Sequence, residues 1–400
     1  MFTHQQLRAS PNVLAKEYSH SHVSSRILLT GHRHQAMPDC SLQGQQDSWM
    51  HAASHIEERW DGVFEKSDDV RAGFARLIDD QPENIALAGS IHDLAMRFIS
   101  ALPLTKRPKL VTTTGEHPSI NRTLYRLAEE GFQVVSVPMQ PASTVVERLL
   151  AEVDDKTSAV FVSSVSFETG HLVLELDRLM PTCEKFGAQL FVDAYQSVNV
   201  LSFSIKDYNL EQAFVVGGGT KYCQLGGGVC FMHVPPLCKL RPIITGWFGC
   251  FDPVIDNPAA LPIVYGDHHQ LFEGATFDST AHFRAAHVFN FFKTHQLTPD
   301  FLHDVNHHQL GVLANNFKKI DADRSFIKLS TDVEFMGGFI SFDTKYAKEI
   351  SEHLRDIGIH TDWRKDWLRM GPAPYICDEQ LEDAMLALDE VIKKISNKKN

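Results

Sequence analysis

The sequence predicts an α/β fold, with a mainly parallel sheet in a large domain and a small α+β domain at the C-terminal end. Three observations carry this expectation. Short apolar runs (ENIALAG, KLVTTTG, FQVVSVP, SAVFVSSV, AQLFVDA) recur through the first half of the chain. Helical stretches of roughly ten to fifteen residues separate them, and strands alternating with helices build βαβ units whose sheets are parallel. The alternation stops after Pro235, and a different mixture of helix and strand takes over from Ala281.

In chain order, residues 1–40 read as an irregular segment packing with the small domain. It holds a short helix over Gln5–Tyr18 and a loop, TGHRHQAMPDC, from Thr30. From Ser41 to Asp80, Trp49, Ile56, Trp60 and Phe64, then Val70, Phe74 and Leu77, recur at helical steps. ENIALAG reads as a buried strand, and SIHDLAMRFISAL as a helix opened by Ser90, a good capping residue. KLVTTTG is the next strand, followed by a helix over Pro118–Glu130 with proline in its first turn. FQVVSVP, SAVFVSSV and AQLFVDA continue the sheet, with helices over Thr144–Glu152 and Leu176–Phe186 between them.

Leu237 to Tyr265, rich in proline and glycine and poor in periodicity, suits a long functional loop. Helices resume at Ala281–Phe292 and Pro299–Phe317. The tail reads as strand MGGFISF, helix Lys345–Ile357, strand WLRMGPA and a last helix from Asp378 to about Ile395, with NKKN frayed. These elements divide the chain into a segment 1–40, a large domain 41–280 and a small domain 281–400.

Composition narrows the function. A chain of 400 residues can bury a sizeable core, and a formal charge of -12 argues against nucleic acid or a membrane surface as the main partner. The first residues lack the apolar core of a signal peptide, and no run approaches a membrane span. The seven cysteines are scattered and show no C-x-x-C spacing, the pattern of reduced thiols in a cytoplasmic protein. The 21 histidines include no H-E-x-x-H, and the pairs His32/His34, His268/His269 and His307/His308 sit in polar sequence. They read as surface histidines, so no metal is expected.

The chemistry concentrates between Leu190 and Gly228. One apolar run ends on Asp193, and a second, Ala213 to Val216, ends in glycines around Thr220 and Lys221. Lys221 lies 28 residues after Asp193, room for a loop, a strand and a turn, so the two can meet at neighbouring strand ends. Separately, a strand-end Asp is commonly a turn residue and a lone Lys a surface group. Together, a lysine that can bond an aldehyde and an acid that can hold a ring nitrogen protonated suit pyridoxal phosphate. A nucleotide-binding phosphate loop is excluded, because Tyr222 follows the lysine where such loops need Ser or Thr.

Ligands of parallel sheets sit beyond the carboxyl ends of the strands, so the residues just after each strand are the candidates for contact. Ser90 and Ile91 open a helix whose free N–H groups suit the cofactor phosphate, although Ser90 also serves as a cap. His117 could lie over a pyridine ring or simply form a turn. Ser163, Ser164, Ser166 and Thr169 come after another strand and could reach ring oxygens, though most such residues form turns. Gln196, three residues beyond Asp193, could reach the ring hydroxyl.

Several segments carry a family resemblance. DAYQS, EHPS and the Thr220-Lys221 pair in its glycine setting resemble the class V aminotransferase branch of fold-type-I pyridoxal-phosphate enzymes. Within that branch the chain is similar to kynureninase. ITGWFGCFDP resembles that family's G-W-[WF]-G segment, GIHTDWRKDWLRMGPAPY its D-W-R … R … P-x-P ending, and ALAGSIHDLAMRFISAL its phosphate turn. The likeness runs from about Leu28 to the last helix.

The resemblance implies that Lys221 bonds pyridoxal phosphate, Asp193 pairs with its ring nitrogen, Gln196 approaches its hydroxyl and His117 stacks on the ring. It implies that Ser90 and the Ile91 amide hold phosphate, and that Trp247 and Thr276 serve the cofactor across the interface of a homodimer. Arg369 would clamp the α-carboxylate of an amino-acid substrate, with Arg364 beside it in a supporting role. The expected reaction is a kynureninase-like hydrolytic C–C cleavage releasing alanine. The alternative is another class V reaction: transamination, β-elimination or epimerisation.

Departures from kynureninase leave the substrate open. Gln196 replaces His, Thr220 replaces Tyr, Ile91 and Ile120 lie where Thr and Asp are usual, and Gly274-Ala275-Thr276 follows the general class V pattern. A cysteine desulfurase is disfavoured because Ser351 to Arg369, the loop before the substrate arginine, contains no cysteine, and Cys377 lies beyond it. A non-catalytic protein of this fold is opposed by the intact Lys221/Asp193 pair. A nicotinamide enzyme is opposed by the missing G-x-G-x-x-G.

Overall fold

Strands of Val, Ile, Phe and Leu that are apolar on both faces need helices on both sides, and that requirement organises this chain. A computed structural model describes residues 2–250 and 261–397. The N-terminal part contributes α1 (His4–Arg8), β1 (Ile27–Leu28), α2 (Cys40–Ser54) and α3 (Arg59–Ile78). A seven-stranded sheet comes next, made of β2 (Ile85–Ala88), β3 (Lys109–Thr113), β4 (Gln133–Val137), β5 (Thr157–Ser163), β6 (Gln189–Asp193), β7 (Phe214–Gly218) and β8 (Cys230–His233).

The strand order is β2-β8-β7-β6-β5-β3-β4. β7, β6, β5, β3 and β4 run parallel, and β8 is antiparallel to both of its neighbours. The intervening helices are α4 (Ile91–Ala101), α5 (Pro118–Glu129), α6 (Val145–Glu152) and α7 (Leu179–Phe186). One sheet face is held by Phe98 of α4, whose ring meets Phe161, Phe191 and Phe214 at 5.7, 5.0 and 4.7 Å. All four are buried. Replacing such a ring by alanine costs about 3–5 kcal/mol, so α4 is firmly seated and its first turn is fixed above the strand ends.

Beyond the sheet lie α8 (Thr280–His295) and α9 (Pro299–Lys319), then a second sheet. It is antiparallel, with β9 (Lys328–Leu329), β10 (Ile340–Asp343), β12 (Asp362–Arg364) and β13 (Trp367–Met370) in the order β12-β13-β10-β9. α10 (Ala347–Asp356) packs against β12 and β13, and α11 (Asp378–Asn397) packs against α9, α10 and β1. The remaining strand, β11 (Ile359–His360), pairs in parallel with β1, and Thr30 bridges to Gly371. The N-terminal segment is thus stitched to the C-terminal sheet.

Three expectations are corrected. The helix over Gln5–Tyr18 breaks into α1 and a 3-10 turn over Val13–Ser21. Pro11 intervenes, offering no N–H and disfavouring helical backbone at Ser10. Trp49 and Ile56 do not face the core; they are 70% and 78% exposed. The buried face of α2 is instead its small residues, Ser41, Gly44 and Ser48, and a side chain at Gly44 would collide with the backbone of Phe283 and Arg284. Finally, Asp362–Arg364 forms a strand that periodicity did not reveal, in register with β13. The last residues of ITGWFGCFDP and part of the Leu237–Tyr265 loop lie outside the described residues.

Candidate active site

The carboxyl ends of β2, β3, β5, β6 and β7 open into one pocket of about 580 Å³. Ser90, Ile91, His117, Asp193, Gln196, Lys221 and Arg369 all line it. Ser90, Ile91, His117, Asp193, Gln196 and Lys221 were expected from separate strand ends and Arg369 from the family resemblance, and the topology brings them together.

β6 and β7 are neighbours, so Asp193 and the turn bearing Lys221 face each other. The end of β7 is closely packed: a side chain at Gly218, its last residue, would run into the Cys230 sulfur and the Tyr195 ring. The Lys221 ammonium lies 4.8 Å from the centre of the Tyr195 ring and 5.7 Å from that of Phe167. Burial pushes Lys221 down to about 8, with Asp193 opposing the shift and Arg369 adding to it. Burial likewise raises the Asp193 carboxyl, against the pull of Lys221 and the Tyr195 amide, which donates to its Oδ1 at 2.9 Å.

His117 caps α5. Its Nδ1 accepts from the Ser119 amide at 3.2 Å, so the ring proton sits on Nε2. Burial lowers its basicity, with the Lys221 and Arg364 charges adding to the shift and Asp193 opposing it. Behind it, Glu116 is fully enclosed. Its carboxyl accepts from Thr113 Oγ1 at 2.6 Å and from the Ser163 amide at 3.1 Å, and burial pushes it up to about 7. Of the polar residues after β5, Ser163 lines the pocket. Ser164 is taken up by Ser197 and the Asp193 carbonyl, while Ser166 and Thr169 meet Gln140.

Phe167 was missed in the sequence, and its ring is central. It meets His117 edge-on at 4.9 Å and lies under the guanidinium carbons of Arg364 and Arg369, 4.6 and 5.6 Å from its centre. The Arg369 side chain is less free than a substrate clamp implies. Its fork donates to the Phe167 carbonyl at 2.7 Å and pairs with Asp362. Asp362 also accepts from Arg33 at 2.9 Å and faces His32 at 3.3 Å. Burial alone would raise Asp362, but the His32 hydrogen bond and the Arg369 and Arg33 charges hold it far below the usual carboxylate range. Burial pushes His32 down to about 3, so it stands neutral, stacked on Phe339.

Trp247, on a 3-10 turn, and Thr276 do not line this chain's pocket, and Trp247 is 43% exposed. Among the described residues no group of three or more His, Cys, Asp or Glu could hold a metal ion, and no helix is long and apolar enough to cross a membrane.

The residues fit pyridoxal phosphate. The buried Gln196 Oε1 has no partner, while its Nε2 donates to the His32 carbonyl at 3.2 Å, leaving one polar end of the amide for a ligand. Ser90 caps α4 by accepting from Asp93, and the helix start is an anion site by its free N–H groups and dipole. The Ile91 amide also leans on the Cys230 sulfur.

The fold and pocket define an enzyme of the pyridoxal-phosphate α/β class. The chain belongs to the aminotransferase class-V family, whose model matches residues 46–249. It is 25% identical over 212 residues to the uncharacterized aminotransferase YcbU of Bacillus subtilis, covering 52% of this chain and 55% of that protein. It is 22% identical over 339 residues to cysteine desulfurase of Homo sapiens, covering 82% of this chain and 72% of that one. The chain thus spans about half the length of the first curated relative it matches.

In fold it is similar to C-DES in two solved structures. One, a variant with glycine covalently linked to the PLP cofactor, has a TM-score of 0.82 at 15% identity, over 94% of this chain and 98% of that one. The other is the cystine C–S lyase C-DES with its reaction product cysteine persulfide, with a TM-score of 0.80 at 16% identity over 92% and 98%. The expected fold and cofactor therefore stand. The kynureninase resemblance is not supported by these relatives, which carry aminotransferase and cysteine desulfurase names instead.

Proposed function

We propose that this chain is a pyridoxal-phosphate-dependent lyase that breaks the Cβ–S bond of a sulfur-bearing L-amino acid by α,β-elimination. With water, the products are a thiol or persulfide, pyruvate and ammonium. Relatives named cysteine desulfurase and a fold neighbour named cystine C–S lyase support sulfur chemistry. The observation that carries elimination over desulfuration is the state of the thiols. Cys230 is the cysteine that lines the pocket, and burial pushes it up to about 12, in contact with Tyr195 and the Ile91 amide. It is a poor nucleophile. No cysteine occurs between Cys250 and Cys377, so no loop before Arg369 offers one. Sulfur then leaves with the product rather than on the enzyme.

When bound, pyridoxal phosphate supplies an electron sink for the pair left as the Cα proton departs. Lys221, near neutrality at about 8, is suited to hold the cofactor, take that proton and return it to the leaving sulfur. Asp193 would hold the ring-nitrogen proton, His117 the ring face, and Gln196 the hydroxyl. Ser90 and the start of α4 would hold the phosphate. Arg369, fixed by Asp362, would orient the α-carboxylate.

The same reading includes a homodimer in which Trp247 and Thr276 serve the partner's pocket. The exposed apolar side chains Trp49, Met50 and Ile56, close together in sequence, are consistent with surface that a partner covers. It also divides the chain into 1–40, 41–280 and 281–400, in keeping with the β1–β11 pairing. Light scattering tests the dimer; a monomer at micromolar concentration would remove that part.

The reaction is tested by product analysis after incubation of the purified holoprotein with L-cystine, L-cysteine and L-kynurenine. Pyruvate and ammonium from a sulfur amino acid support elimination. Alanine would point to desulfuration or to hydrolytic cleavage, and pyridoxamine phosphate with a 2-oxo acid to transamination; either would overturn the proposal.

A further inference from the structure

The arginines of the pocket are unequally committed. Arg369 spends its fork on the Phe167 carbonyl and Asp362, and Arg33 pairs with the other oxygen of Asp362 at 2.9 Å. Arg364, two residues along β12 from Asp362, lines the same pocket. It is half-buried, its guanidinium carbon lies 4.6 Å over the Phe167 ring, and its side chain has no carboxylate or hydrogen-bond partner among the described residues. The flat ring of Phe167 holds the planar guanidinium from one face and leaves its edge of N–H donors open. A half-buried cation without an anion is costly unless a ligand supplies one. Asp362 cannot do so, since His32, Arg33 and Arg369 already surround it.

We propose that Arg364 is a second carboxylate subsite, distinct from the one at Arg369. The substrate is then a diacid: an amino acid whose α-carboxylate meets Arg369 and whose side chain ends in a further carboxylate that Arg364 receives. Phe167, touching both guanidinium groups, is the spacer that sets the distance between the two anions. Trp363, which also lines the pocket, offers apolar surface to the chain that joins them. The inference rests on the lyase reading for the sulfur in that chain, not for the two charges. Among sulfur amino acids it selects those with a carboxylate on the far side of the sulfur over cysteine itself.

Binding of unreactive acids without an amino group tests this apart from catalysis. Butyrate, glutarate, adipate and pimelate are titrated calorimetrically into the holoprotein, the Arg364→Gln and Arg364→Lys variants, and Arg369→Leu. At least one of the dicarboxylates should bind about tenfold more tightly than butyrate, the worth of one charge-assisted pair. Arg364→Gln should abolish that advantage without changing butyrate affinity or the cofactor's absorbance, and Arg364→Lys should keep part of it. Arg369→Leu should weaken every probe.

Equal affinity for mono- and dicarboxylates in the wild-type protein, or an undiminished advantage in Arg364→Gln, would overturn the subsite. Loss of cofactor from Arg364→Gln would assign the arginine to the phosphate instead. A dicarboxylate advantage without pyruvate from any sulfur amino acid would sink the lyase reading and leave the subsite standing.

Discussion

Asp362 and Arg369 stand opposite one another in register on β12 and β13, and their buried ion pair fixes how the Arg369 fork enters the pocket. Asp362→Asn keeps the shape and removes the charge. A buried charge left unpaired costs about 3–5 kcal/mol, so the variant should melt earlier. Its KM for the amino-acid substrate should rise about tenfold, with kcat less affected and the cofactor spectrum unchanged. Thermal melts and steady-state kinetics check both parts. Cofactor loss with an unchanged KM would mean Asp362 serves the cofactor side instead.

Glu116 predicts a pH effect of one sign. Burial pushes its carboxyl up to about 7 from an ordinary 4.5, so the folded chain holds the proton more tightly than the unfolded chain. Its contribution is fully present below about pH 4.5 and is lost as pH rises through about 7. Glu116→Gln, which imitates the protonated form, should therefore gain stability relative to wild type between those values. Paired melting curves from pH 4.5 to 8 measure this; a constant difference across the range would contradict it.

Glu273 predicts the opposite sign. Burial would raise it, but Arg71 and His269 hold it at about 2. Its contribution is present above about pH 4.5 and disappears as pH falls toward 2. Glu273→Gln should be the less stable protein at neutral pH, and the gap should close in acid. Denaturant midpoints at pH 7, 4 and 3 read it directly.

The sequence made the strand ends legible because their chemistry is local. An apolar run ending in Asp193, Ser90 or His117 declares both the strand and the group placed beyond it. The helices α4, α5, α8, α9 and α11 were legible from their periodicity and caps. What stayed hidden was long-range. His32 and Asp362 meet across 330 positions, and the bond that commits Arg369 depends on a hairpin that DWRKDWLRM does not announce by alternation. Phe167, flanked by turn-forming residues, gave no sign that three cationic side chains would gather on its ring. Trp49 followed a helical period yet faces outward, because α2 packs through Gly44 and its serines, and Ile56 lies in the turn between α2 and α3; period alone does not say which face is buried or where a helix breaks.

The account turns on Lys221 as the residue that bonds pyridoxal phosphate. Reduction of the holoprotein with borohydride, followed by digestion and mass spectrometry, locates the attachment. The predicted result is one pyridoxyl group on the peptide containing Lys221, absent from Lys221→Ala, which should also lose the visible absorbance of the bound cofactor. A pyridoxyl group on any other lysine, or an unaltered band in Lys221→Ala, would contradict the account.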